Sequence, residues 1–456
     1  MNICVNEQRF WGNTDSETIQ NAIDYAAETG LGAVVIPRCN ERTGTHLWSI
    51  EKTIYLPDDM TVYIDNAHLR LADGVRENIF RNRLYGTELG NTTAGEQHDI
   101  RIIGMGNAVL DGGKPNGLTE QMHRDDPEHN PHMSCNLLIG LHNVRNFLIT
   151  GLNFIESRWW AVMCMYCRWG RISNLDFRMY GTLENQDGID LRVGCEYITI
   201  ENITGCTGDD TIALTGLGLS PRFEVKNRVE GKSKDIHDIT IHNVISSSHG
   251  CSVVRLLNCD GVKEYNITID TVKDTGESIS GSAMLIGAAR SFAREKPHGF
   301  EDFQNIVIRN VSTCAQRGLT FAEPMRNVLV ENLTVFGRAE VGIQFAPNFA
   351  CDDLTIRNVH FCADPETADC VFNFPLNPDN LHRDLRIEHV RAGAAKYVFR
   401  QNQWPITDFV YEAPTVAYFT PEKPKLASAY GRYHRCSYGK VIENRPSDNR
   451  FKEEKV

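Results

Sequence analysis

FLITGLNF (147–154), GRISNLDF (170–177) and YITIENIT (197–204) are copies of one phrase: alternating apolar residues, a polar step, often an Asn, then a further apolar residue. The phrase returns as DITIHNVI (238–245), NITIDTVK (266–273), NIVIRNVS (305–312), NVLVENLT (327–334), DLTIRNVH (353–360) and DLRIEHVR (384–391). Anchored on the residue before the polar step, the copies fall at 149, 172, 200, 241, 269, 308, 330, 356 and 387, with gaps of 23, 28, 41, 28, 39, 22, 26 and 31. The shortest gaps set a unit of 22–23 residues, and the longer ones carry loop insertions. Each unit holds two or three period-2 segments rich in Ile and Val and parted by Gly and Asn, which leaves no room for a helix in the shortest units. One such coil cannot bury its apolar face, so the coils must stack. Parallel, in-register stacking explains Asn174, Asn202, Asn243, Asn310, Asn332 and Asn358 at one point of successive units. Asn tolerates a left-handed corner, and its amides can bond along the stack. Most of the glycosylation sequons at Asn202, Asn266, Asn310 and Asn332 then have a structural reason. A β-sandwich, with strands every ~8–12 residues, requires no such recurrence. The expected fold is all-β, a parallel β-helix.

The ends differ from the middle. DSETIQNAIDYAAETGLGAVVIPRC predicts a helix capped by Asp15 or Ser16, with Ile19, Ala22, Ile23 and Ala26 on one face, ending near Gly30 and Gly32 and leading into a strand GAVVIP. A helix at the open end of a stack keeps other chains from adding strands there. The expected division is residues 1–50 as cap helix and first strand, 51–410 as the β-helix, and 411–456 as a polar, Pro-interrupted tail laid against the helix or a neighbouring subunit.

Composition narrows the function. The chain is 41% hydrophobic and 23% charged, ordinary for a folded protein, and its formal charge of −12 works against nucleic acid and anionic membranes as partners. No apolar run is long enough for a membrane span. The N-terminus lacks a basic region followed by an apolar stretch, so no secretory signal is read and a cytoplasmic location is expected. Fourteen scattered cysteines do not form a short secreted disulfide frame. The lone pair Cys164 and Cys167 lacks the further ligands that zinc needs and is read as buried packing, its members on opposite faces of a strand.

Against this apolar background the stretch NQDGIDLRVGCEYITIENITGCTGDDTIAL (185–214) places Asp187, Asp209 and Asp210 at strand edges. Carboxylates resist burial unless paired or used. Asp209 and Asp210 follow Asp187 by 22 and 23 residues, one coil length, so they fall one rung above it, about 4.8 Å away along the stack. His249, in SSSHGCS, follows 39 residues after Asp210, and the insertion 216–235 accounts for the excess, putting it on a third rung. For Asp209 and Asp210 both to reach one groove the backbone must turn, which Gly208 permits. Carboxylates this close cannot all titrate normally, and a raised acid beside ionised neighbours is what glycosidic cleavage requires. Grouped Asp oxygens that bind calcium or cap turns are the alternative.

These residues resemble family 28 of the glycoside hydrolases, the polygalacturonase family of right-handed parallel β-helices. The resemblance rests on Asn185, Asp187 and Gly188 in NQDG, Gly208, Asp209 and Asp210 in GDD, and His249 and Gly250 in HG. It extends more weakly to ESRWWAVMCMYC (156–167), AVLDGG (108–113) and the N-terminal helix and strand. It implies inverting hydrolysis, with Asp209 as general acid, Asp187 and Asp210 orienting and deprotonating water, and His249 tuning the acid. One departure is plain. The family's polygalacturonases carry Arg-Ile-Lys one coil after HG to grip a galacturonate carboxylate. The corresponding strand here, SAMLIG (282–287), has Met284, Leu285 and Ile286 at its centre. A substrate carboxylate would need Arg255 or Arg290 instead, or the sugar there is neutral. Gln186 and Ser248 are milder departures.

Several other residues have two readings. Of Trp159 and Trp160, adjacent on a presumed strand, one would face outward as a sugar platform or both serve packing. Arg192 would bind substrate or pair with a neighbouring acid. His123, His129 and His132 lie in a long loop, read as a solvated wall of the groove and not as a metal site. No cofactor or metal is expected. The expected activity is inverting hydrolysis of a pectin-type or other plant oligo- or polysaccharide, with exo-action if the insertions close the groove, on imported oligosaccharides. Two alternatives stay open: a calcium-dependent polysaccharide lyase on the same fold, and a non-catalytic glycan-binding β-helix. An oligomer through the C-terminal tail is a further possibility.

Overall fold

The computed structural model of the chain describes residues 3–126, 129, 135–217, 226–287, 298–374, 381–393, 395, 397–401, 404–405, 432–434, 437–438 and 441–443. They form a right-handed parallel β-helix. Each central coil contributes a short strand, such as Ile189–Arg192, and a long bent strand, such as Glu196–Thr207. The short strands stack from Ile54–Leu56 to Tyr397–Gln401 in one sheet. The long strands stack in another that folds round a corner.

The nine anchor positions lie in one column. Ile149 pairs with Ile172, Ile172 with Ile200, Ile200 with Ile241, Ile241 with Ile269, Ile269 with Ile308, Ile308 with Val330, Val330 with Ile356, and Ile356 with Ile387. The column continues downward through Ile102, Val62 and Val34 to Ile3. These earlier rungs carry the same apolar step without the Asn that marks the later ones. From Val34 to Ile356 every member is buried, and each such side chain stabilises the stack by roughly 1.5–3 kcal/mol.

The Asn ladder holds the corner. Asn174, Asn202, Asn243, Asn310, Asn332 and Asn358 all have φ between 54° and 58°. Asn202 donates to Asn174 at 3.1 Å, Asn243 to Asn202 at 2.8 Å, Asn332 to Asn310 at 2.9 Å and Asn358 to Asn332 at 3.0 Å. Thr271 interrupts the run, and Asp270 beside it accepts from Asn310 instead. A second ladder occupies the other end of the same strand segment. There Asn266 donates to Asp238, Asn305 to Asn266 and Asn327 to Asn305, all at positive φ.

The helix Asp15–Glu28 covers the open end, with Ile19, Ala22, Ile23 and Ala26 fully buried. Its cap is Thr14, whose hydroxyl accepts from the Glu17 amide, and neither Asp15 nor Ser16. Asp15 turns inward instead and accepts from Asn40, Arg42 and the Ser49 amide, tying the helix to the first coils. The rungs themselves begin at Ile3–Cys4, within the segment 1–50. Cys164 and Cys167 are both buried in the core and not on opposite faces, because Tyr166 between them turns the corner at φ 53°. Of the tail, most lies outside the described residues. The pieces Arg432–His434, Ser437–Tyr438 and Val441–Glu443 pair in parallel with Leu381–Ala392 as a further rung, away from the helix.

Candidate active site

Rung register brings the acids together. Ile189 pairs with Ile212 and Ile212 with Val254, which sets Asp187 beneath Asp210 and Asp210 beneath Ser252. The Gly188 amide donates to the Asp210 carbonyl, and the Asp209 amide to the Gln186 carbonyl. Thr207 pairs with Ser248, so His249 follows on the next rung, its amide donating to the Thr207 carbonyl.

The glycines here serve close approach. The backbone bends at Gly208 and Asp209, as expected, and does so without a positive φ. A Cβ on it would lie 2.7 Å from Gln186 Cβ and 3.0 Å from Gly181 Cα, and a Cβ on Gly188 would lie 2.5 Å from the Thr211 carbonyl oxygen. Gln186 and Ser248, the two departures inside the motifs, are structural. Gln186 is buried, accepts from the Thr182 amide and donates to Glu156 and the Ser157 carbonyl. Ser248 accepts from the Cys251 amide.

The acids differ in depth. Asp187 is 5% exposed and Asp210 3%, whereas Asp209 is half-buried and His249 exposed, so the notch opens on the side of Asp209 and His249. Asp210 is held on both oxygens, Oδ1 accepting from the Ser252 amide at 2.8 Å and Oδ2 lying 3.5 Å from Arg255 Nη1. Asp209 Oδ1 accepts from the Asp210 amide. Asp187 Oδ1 is buried with no hydrogen-bond partner among the described residues.

Two residues of this site were not anticipated. Asp190 is 1% exposed, pairs at 3.5 Å with Arg192, and leaves Oδ2 without a partner among the described residues. The alternation Ile189, Asp190, Leu191 carries the signal, because inward Ile189 and Leu191 force Asp190 outward onto the face of the notch. Cys251 places its thiol within 4.8 Å of carboxylate oxygens of Asp209 and Asp210. No local pattern announces it.

Burial raises Asp187 well above the usual carboxylate range, and the charges of Asp190, Asp209 and Asp210 push the same way. Asp190 is likewise raised by burial, against the pull of Arg192. Asp210 is raised by burial to about 6, with Arg255 opposing. The Cys251 thiol is pushed up by burial and by the acids beside it.

The other expected substrate contacts differ in exposure and partners. Trp159 and Trp160 are both buried, in a cluster with Tyr85, Leu137, Met163 and Val229 outside the main core. Residues 157–160 form a corner and not a strand, so the in–out alternation fails. Arg192 is 3% exposed, paired with Asp190 and stacked 4.5 Å over the Trp160 ring. The Asn185 amide sits at a φ of 55° and donates to Glu120. Arg255 does reach the notch, and Leu285 stands directly above it on the next rung, where the cationic step was missing. Arg290 and His132 lie outside the described residues. His129 is exposed and bonded to Asp126 at 2.8 Å.

The comparisons agree with this geometry. Residues 83–219 match the model of glycosyl hydrolases family 28. The matched segment includes Asp187, Asp209 and Asp210 and stops short of His249. A probable polygalacturonase of Arabidopsis thaliana is 29% identical over 178 residues, 38% of this chain and 36% of its own length. The chain thus matches about a third of that curated relative. Among solved structures, an exopolygalacturonase from Thermotoga maritima aligns with a TM-score of 0.54 at 14% identity, over 97% of this chain and 92% of that one. A tailspike protein of E. coli bacteriophage HK620, in complex with a pentasaccharide, aligns with a TM-score of 0.64 at 12% identity, over 97% and 80%. At these identities the structural likeness speaks for the β-helix alone.

Proposed function

We propose that the chain is a glycoside hydrolase of the polygalacturonase type, cleaving a glycosidic bond in a pectin-type glycan with inversion. The observation that carries this reading is the stacking of Asp187 and Asp210 on successive rungs, with Asp209 beside them at the mouth of the notch. Asp209, the most exposed of the acids, protonates the leaving glycosidic oxygen. A water held deeper, against Asp187 Oδ1, attacks the anomeric carbon from the opposite side and gives its proton to Asp187 in its ionised form, whose raised basicity suits it as the acceptor. Asp210, with both oxygens already engaged, orients the water and is kept in place by Arg255. One rung plus the reach of two side chains suits the ~6.5–9.5 Å that an inverting pair needs to admit water.

Exo-action is favoured by the insertions. Residues 91–92 and 226–230 meet over the outer face of the short-strand sheet: Asn91 donates to the Lys226 carbonyl, the Glu230 amide to the Asn91 carbonyl, and His142 contacts the Asn227 carbonyl. A groove closed on one side would admit a chain end.

The test is incubation with defined oligogalacturonides and neutral pectic oligosaccharides, following reducing ends, ultraviolet absorbance and the first anomer by proton NMR. The expected result is a saturated product of inverted configuration, released from a chain end and insensitive to chelator. An unsaturated, ultraviolet-absorbing product that disappears with chelator would replace this reading with the lyase. A retained anomer would overturn the assignment of roles.

A further inference from the structure

A second corner of the coil departs from its own rule. Register places Asp99, Asn146, Trp169, Tyr197, Asp238, Asn266, Asn305, Asn327, Asp353 and Asp384 in one column on consecutive rungs. All ten have φ between 50° and 65°. Eight are Asn or Asp, the side chains that tolerate this left-handed conformation best. The other two are aromatic, lie on adjacent rungs, and are 51% and 49% exposed. The fold gains little from them there, since a bulky side chain is disfavoured at positive φ and half of each remains in water.

A cleft of about 350 Å³ adjoins them, lined by Glu96, Arg168, Glu196, Lys232, Asp235 and His237. Neither ring lines it, but two of its lining residues touch them. The Arg168 guanidinium lies 4.3 Å over Trp169 and lines the cleft, and His237, also lining it, meets Tyr197 edge-on at 5.7 Å and stacks on Tyr265 at 4.7 Å. Arg168 and Lys232 are both spent on Glu96, and His237 contacts Glu196 at 3.1 Å, so the cleft offers paired polar groups and no net positive charge. Flat aromatic faces beside a polar cleft without net positive charge suit a ligand with one apolar face and a rim of hydroxyls. A pyranose ring has that chemistry, and an anion or a purely apolar partner does not.

We propose that Trp169, Tyr197 and the adjoining cleft form a second glycan-binding site, apart from the acid notch. The strand Ile189–Arg192, about 13 Å at ~3.3 Å per residue, separates the two corners. The site would hold a distant part of the polysaccharide while the notch cleaves a chain end. The inference rests on the reading of the chain as acting on glycans.

The ladder itself supplies the test. Asn at both positions extends the pattern of the other rungs, so the double variant Trp169→Asn, Tyr197→Asn keeps or improves the fold while removing both rings. Retardation in native gels containing a soluble neutral galactan, or a soluble neutral xyloglucan, reads binding. With two stacked contacts removed, we expect binding to at least one of these polymers to fall roughly tenfold or more. The melting temperature should be unchanged or higher, and turnover of a short oligosaccharide unchanged. Unaltered retardation in both polymers overturns the proposal, as does a native protein that neither polymer retards. A variant that melts lower and changes its mass in sedimentation would show that the rings pack against protein, which also overturns it. Loss of retardation with no turnover in either protein would sink the hydrolase reading and leave the binding site standing.

Discussion

Asp209→Asn is expected to remove hydrolysis almost completely while leaving the protein folded. The side chain is only half-buried, its hydrogen bond from the Asp210 amide to Oδ1 can be kept by the Asn oxygen, and the nearby Cys251 thiol can still approach the Asn amide. The variant should therefore melt within about 1 °C of the parent, in line with substitutions away from a packed core. Its loss of kcat should be about 10²–10⁴-fold, because that is what proton donation to a poor leaving group is worth and Asn supplies none of it. KM should change little, since a neutral, isosteric side chain still lines the mouth. Progress curves at saturating substrate, with a melting curve on the same sample, check both halves. Residual activity within tenfold of the parent would remove Asp209 from the role of acid. That outcome would turn attention to Asp190, a carboxylate of the cluster whose buried Oδ2 has no partner among the described residues.

The second large effect concerns pH. Asp187, Asp190 and Asp210 all have folded-state pKa values raised above those of an unfolded chain, chiefly by burial, and Asp210 lies at about 6. The folded protein therefore holds more protons than the unfolded one at intermediate pH. The stability these groups contribute is fully present below their unfolded values near 4, and it is lost as pH rises through the raised folded values. The protein should be most stable in mild acid and lose stability, on the order of a few kcal/mol, between about pH 4 and 7.5. Asp187→Asn should flatten that profile. It removes a buried carboxylate with an unpartnered oxygen and breaks no pairing with a cation. At pH 7.5 the variant should melt at least about 2 °C above the parent, although hydrolysis is lost. Thermal unfolding of both proteins across this range decides the matter. A lower melting temperature for the variant at pH 7.5 would mean that the carboxylates are not crowded.

How much of this was readable beforehand follows from what each feature depends on. The eight gaps of the repeat, irregular as they are, translate one by one into the observed pairings from Ile149 to Ile387, because inserted residues leave the stack as loops and cannot shift the register of apolar steps. Asp187, Asp209 and Asp210 inherit their positions from that register. Of the two readings open for each of Trp159, Trp160 and Arg192, the structure shows packing for the tryptophans and an ion pair with Asp190 for Arg192. These side chains do lie outside the main core, but Tyr85, Leu137 and Val229, brought from distant segments, cover them. No local period reports where a long insertion will lie down. Trp169 and Tyr197 escaped notice because the corner they occupy is recognised by its Asn and Asp residues, and only the structure shows that two aromatic rings stand in the same column. Asp190 was within reach, since the alternation through Ile189 and Leu191 already turned it outward.

The central claim is that acids remote in sequence share one sugar-cleaving notch. The most direct test is the crystal structure of the Asp209→Asn protein with an oligosaccharide substrate bound. The account predicts a scissile glycosidic oxygen within about 3 Å of the residue 209 side chain, with a water on the far side of the anomeric carbon against Asp187 and Asp210. A sugar seated away from these three residues, or the carboxylates closed around a cation with no space for a ring, would contradict it.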